Sequence, residues 1–81
     1  FQDSTDRDNH AKVLNEYGDA LLDDRRPAEA MPYLQLALSL FVAEKSLRGQ
    51  RRVLESLARA ATALGDHAAA QDYRRRAQEL S

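Results

Sequence analysis

Apolar residues recur at steps of three and four along most of the chain. Between Asp8 and Asp23, Val13, Leu14, Tyr17, Leu21 and Leu22 fall at helical spacing, with Asp6, Asp8 or Asn9 available to cap the start. The polar run Asp23, Asp24, Arg25, Arg26 ends that segment. A second helix is predicted from Pro27 to about Val42, because proline suits a first helical turn, where its missing N–H would have had no partner. Pro32 lies one turn further in and removes the bond to the carbonyl of Ala28, so it imposes a slight bend at most. A third helix is predicted over Leu47 to Leu64, closed by Gly65 at a left-handed cap position, and a fourth over His67 to Leu80. Two prolines and three glycines interrupt 81 residues, so long helices are the default and the expected fold class is all-α.

The weakest boundary is Glu44 to Gln50. Only Gly49 interrupts it, and Ser46 is an incomplete N-cap. If the second and third helices ran together there, the two hairpins would separate and each would pack on a second chain, giving a domain-swapped dimer.

Sliding the chain on itself by forty positions aligns Val13 with Val53, Leu14 with Leu54, Ala20 with Ala60, Ala28 with Ala68, Ala30 with Ala70, Tyr33 with Tyr73, Ala37 with Ala77 and Leu40 with Leu80. Such self-similarity is the signature of a repeat, here over about 11–43 and 51–81 of a single domain spanning residues 1–81. Small residues recur where helices must come close: Gly18 and Ala58 in the first helix of each hairpin, Ala30 and Ala70 in the second. Leu14, Tyr17 and Leu21 are expected to pack on Leu34, Ala37 and Phe41, and Leu54 and Leu57 on Tyr73, Ala77 and Leu80.

The large residue, the large-small pair and the later alanines resemble the tetratricopeptide repeats. Leu14, Tyr17, Gly18, Leu21, Ala30, Leu34 and Ala37 follow the pattern in repeat one, and Leu54, Leu57, Ala58, Gly65, Asp66, Ala70, Tyr73 and Ala77 follow it in repeat two. The period of forty exceeds the family's usual 34, and the extra length is expected between the hairpins. Arg25 stands where the inter-helix turn commonly has glycine, and Val42 where a proline commonly ends a repeat. Longer repeats of this kind look like those of bacterial transcriptional regulators and signalling ATPases. The resemblance implies two antiparallel helical hairpins stacked as a short right-handed solenoid whose first and third helices line a concave surface. It also implies a scaffold that binds a protein or peptide rather than an enzyme. The polar residues left on that surface are Asn15, Asp19, Arg52, Glu55, Arg59 and Thr62, the candidate partner-binding set.

The second helix is apolar on both sides, Met31, Leu34, Leu38 and Phe41 on one and Tyr33, Leu36 and Leu40 on the other. One hairpin partner cannot cover both, so the third helix is expected to cover the remaining side. The competing expectation is a self-association surface, with the domain acting as a dimerisation or linker element of a larger bacterial regulator. The fourth helix carries a narrow stripe of Ala70, Tyr73, Ala77 and Leu80 among charges, as a terminal cap would.

Charge refines this picture. Residues 1–40 hold eight acids against four bases and residues 41–81 five acids against eight bases. Arg48, Arg51, Arg52, Arg59, Arg74, Arg75 and Arg76 are candidates for a nucleic-acid face, but a net charge of −1 and the lack of interleaved aromatics argue against it. A solvated surface or charge-complementary association between protein surfaces accounts for them better.

Candidate chemistry is sparse. No cysteine is present, which removes disulfides and thiolates and favours a reducing compartment, the cytoplasm. His10 and His67 have no second nitrogen ligand at metal-binding spacing, and Asp3, Asp6 and Asp8 lack the glycine and distal glutamate of a calcium loop. No nucleophile motif or phosphate-binding glycine loop occurs, so no catalytic residue, metal or cofactor is expected. The longest apolar run, Leu36 to Ala43 broken by Ser39, is far short of the roughly 20 residues a bilayer requires. The chain opens at Phe1 rather than methionine and is expected to be a segment of a longer protein.

Overall fold

The computed structural model describes residues 4–80, with side chains from Asn9 onward. Asp3 lies outside the described residues, as do the side chains of Asp6 and Asp8. Among the described residues there are four helices: α1 (Ser4–Asp23), α2 (Pro27–Ala43), α3 (Leu47–Ala63) and α4 (His67–Glu79). α1 starts four residues ahead of the expected Asp8, which puts Asp6, Asp8 and Asn9 inside the helix rather than at its cap. α2 runs unbroken through Pro32.

The three connections are one turn used three times. In each, the N–H of the third turn residue donates to a carbonyl five positions back: Arg26 to Leu21 at 2.8 Å, Ser46 to Phe41 at 3.0 Å and Asp66 to Ala61 at 2.8 Å. The middle residue donates three positions back and is left-handed, with φ of 62° at Arg25, 57° at Lys45 and 82° at Gly65. This is the Schellman arrangement, which satisfies the last carbonyls of each helix. Ser46 Oγ then accepts from the Gly49 N–H, and Asp66 Oδ1 from the Ala69 N–H, each at 3.1 Å, capping α3 and α4. α2 and α3 are therefore separate helices, and no fusion through residues 44–50 opens the hairpins.

Arg26, Ser46 and Asp66 fall twenty residues apart, so the forty-residue period is two equal helix-and-turn units. The expectation that the extra length lies between the hairpins is corrected: that connection is as short as the others, and the length is taken up by the helices.

Short turns make sequential helices antiparallel neighbours, and α1 packs on α2 and α3 on α4. α3 joins the two hairpins by packing chiefly on α2 and touching α1, while α4 approaches α3 alone. The Cα envelope measures 42 × 28 × 14 Å, and its thin dimension fits two helix layers. One core runs through both hairpins, built from Ala11, Leu21, Ala30, Leu34, Ala37, Phe41, Val53, Leu54, Leu57, Ala60 and Ala77.

The four small positions read from the repeat, Gly18, Ala30, Ala58 and Ala70, are all buried. A Cβ on Gly18 would lie 2.5 Å from Leu34 Cδ2, and one on Gly49 would lie 2.1 Å from Phe41 Cδ1. Gly18 thus sets the α1–α2 approach and Gly49 seats the Phe41 ring between the hairpins. Two packing expectations are corrected. Tyr17 does not enter the core; it is half exposed and meets Tyr33 edge-on, with ring centroids 4.7 Å apart. α3 covers only one side of α2, leaving Tyr33 and Leu36 exposed on the other.

Candidate functional site

The six residues expected to share one polar surface are divided by the structure. Asn15 is buried, at 1% exposure, and its Nδ2 donates to Ser56 Oγ at 3.3 Å and to Asp19 Oδ2 at 3.4 Å. The amide therefore ties α1 to α3. Asn15 Oδ1 and Asp19 Oδ1 are buried acceptors with no donor among the described residues.

Directly beside Asn15, the first turns of α3 and the facing side of α1 enclose a cleft of about 230 Å³. Lys12, Asn15, Phe41, Ser46, Arg48, Gly49 and Arg52 line it, so three cations converge with no acid among the lining residues. Arg52 comes from the predicted set. Lys12 was missed and Arg48 was placed only among the nucleic-acid candidates, although a signal was present: Lys12 precedes Asn15 by three residues and Arg48 precedes Arg52 by four, the spacings that put side chains on one helix face. Gly49 has room only for hydrogen beside Phe41, so the helix backbone itself forms part of the cleft wall.

Glu55 and Arg59 belong elsewhere, to a shallower cleft of about 360 Å³ between α3 and α4 that Arg51, Ala58, Arg74, Ala77 and Gln78 complete. Its charges are mixed and partly engaged. Arg59 reaches Asp23 at 3.3 Å, and Arg74 donates to Thr62 Oγ1 at 3.2 Å, which places Thr62 on this side too. The remaining arginines lie on α4, where Arg75 pairs with Asp72 and Arg76 sits 5.9 Å from the centre of the Tyr73 ring. The basic residues of the second half are thus spread over two clefts and an outer helix surface, and do not form the single stripe a duplex backbone would track.

Among the described residues no group of three histidine or carboxylate side chains is placed to hold a metal ion. None of the helices is long and apolar enough to cross a membrane. With this geometry in hand, comparison with known proteins gives no match: no family model, curated protein or solved structure is significantly similar to the chain.

Proposed function

We propose that the chain is a protein-interaction module that takes an acidic segment of a partner protein in the cleft between α1 and α3. The observation that carries this reading is the convergence of Lys12, Arg48 and Arg52 on one cleft with no lining acid. The tetratricopeptide resemblance supports it, since it implies scaffolding on the surface lined by the first and third helices, here within a larger cytoplasmic regulator. The Asn15–Ser56 bond holds the two cation-bearing helices at a fixed separation, so little ordering remains to be done when the partner arrives. All three cations are exposed to solvent, where each ion pair contributes only about 0.2–1 kcal/mol. Electrostatics then sets association rate and selectivity more than tightness, and binding should fall steeply with salt.

Fluorescence anisotropy with a labelled glutamate-rich decapeptide at low salt tests this. Binding is expected, weakened about tenfold by Arg52→Glu or Lys12→Glu, since each reversal replaces an attraction by a repulsion of similar size, together roughly 1.4 kcal/mol. Glu55→Gln, outside the cleft, should leave it unchanged. Failure to bind the peptide, or equal binding of an uncharged peptide, would overturn the reading. Equally tight binding of a short DNA duplex would transfer it to nucleic acid.

A further inference from the structure

The forty-residue equivalence pairs each residue of the outer α1 face with a residue of α3, and their environments are opposite. Asn9, Val13, Glu16, Tyr17 and Ala20 are exposed, whereas Gly49, Val53, Ser56, Leu57 and Ala60 are buried. Val13 is 61% exposed and Val53, the same residue one repeat later, is 0%. The difference is what lies in front: α2 and, at Ser56, α1 pack on α3, whereas among the described residues no helix covers the outer face of α1, where Tyr17 makes only its edge-on contact with Tyr33. Tyr33 and Leu36 extend the uncovered apolar surface onto α2.

From this we infer that the outer face formed by Val13, Tyr17 and Tyr33 docks a further helical hairpin, in the way the second hairpin docks on the first. The interface inside the chain is the template, and the departures from it define the partner's chemistry. The docking helix presents an apolar stripe like that of α2. Opposite Asn9 it carries a small residue, because only glycine at that position leaves room for a Phe41-like ring. Opposite Glu16 the other helix of the hairpin, the counterpart of α1, carries a basic residue, because the equivalent Ser56 faces the donor Asn15 of α1 and a carboxylate there requires a cation. A second copy of this chain docked head to tail does not meet these requirements. Its far end offers Gln71, Arg74 and Gln78, all exposed, at the positions equivalent to Met31, Leu34 and Leu38. The surface is thus directional, with apolar docking at the α1 end and a polar terminus at the α4 end.

The test is a tandem chain, residues 1–46 followed by residues 7–81, which places a copy of the first hairpin ahead of the intact one in register. Its appended copy carries Phe41→Ala and Asn15→Lys. Urea unfolding of this chain should show one cooperative transition, with a midpoint above that of the 81-residue chain and an m-value larger by about half. Val13→Glu in the intact part should return the midpoint and m-value to those of the 81-residue chain, the uncoupled hairpin losing its share of the helical signal, while the same substitution in the 81-residue chain leaves its midpoint unchanged because Val13 is already exposed. An appended hairpin that unfolds independently, with the remaining transition unmoved, would overturn the inference. So would a dimer of the 81-residue chain in light scattering that Val13→Glu dissolves, since the face would then belong to a second copy. Neither readout involves the α1–α3 cleft, so this inference and the acidic-peptide reading stand or fall separately.

Discussion

Two glycines carry more of the packing than their type suggests. In a helix, alanine is favoured over glycine by about 1 kcal/mol. Here the methyl group would meet Leu34, which is fully buried, or the ring of Phe41, which is rigid and 3% exposed. Overpacking of that kind costs about 1–3 kcal/mol, enough to outweigh the propensity gain. Gly18→Ala and Gly49→Ala should both lower the urea midpoint, Gly49→Ala the more, because an aromatic ring has fewer ways to move aside than an isobutyl group. An increase in stability for either would mean the helices separate more easily than their contacts imply. Sequence reading identified Gly18 as a small packing position from its match with Ala58, but took Gly49 only as an interruption. Its counterpart one repeat back is Asn9, so the periodicity gave no cue, and the reason for glycine lies in Phe41, eight residues earlier and on another helix.

At the scale of elements, the three turns show one backbone solution met with three different residues. Gly65 adopts its φ of 82° without strain, but Arg25 and Lys45 hold side chains at φ near 60°, a region that costs a non-glycine residue roughly 1–2 kcal/mol. Part of that is returned on replacement by glycine through the greater entropy of the unfolded chain. Arg25→Gly and Lys45→Gly should therefore each stabilise the protein by about 0.5–1 kcal/mol, read as a rise in melting temperature. Neither residue lines either of the clefts described above, so peptide binding should be unaffected. The helices and their pairing were legible because proline, glycine and the forty-residue match all pointed the same way. The cleft was not. Lys12 and Arg48 stand thirty-six residues apart and converge only because α3 packs across α2 and Asn15 meets Ser56, a tertiary fact without local signature. Asn15 itself reads as a polar surface donor and is instead the bond that sets the spacing.

The whole molecule stands on one contact surface between two hairpins of about forty residues. Units of that size seldom bury enough apolar area to fold alone, so the hairpins should have no independent stability and should unfold together. Identical letters accordingly mean different things in the two halves: Val13 contributes little where it lies, while Val53 is part of the core that joins the hairpins. Phe41 is the largest side chain in that junction, nearly fully buried, and removing its ring typically costs about 3–5 kcal/mol. A chain of 81 residues has a total stability of roughly 4–12 kcal/mol at about 0.05–0.15 kcal/mol per residue. Phe41→Ala thus removes a large share of what holds the protein together, and removes it from the junction rather than from either hairpin's interior. If the hairpins are interdependent, circular dichroism of Phe41→Ala across a urea titration should show a single transition at a lower midpoint, with the helical signal lost as one unit. Should half of the signal instead persist to the wild-type midpoint, one hairpin folds by itself. The docking of a further hairpin would then add to an already independent unit rather than extend a shared core.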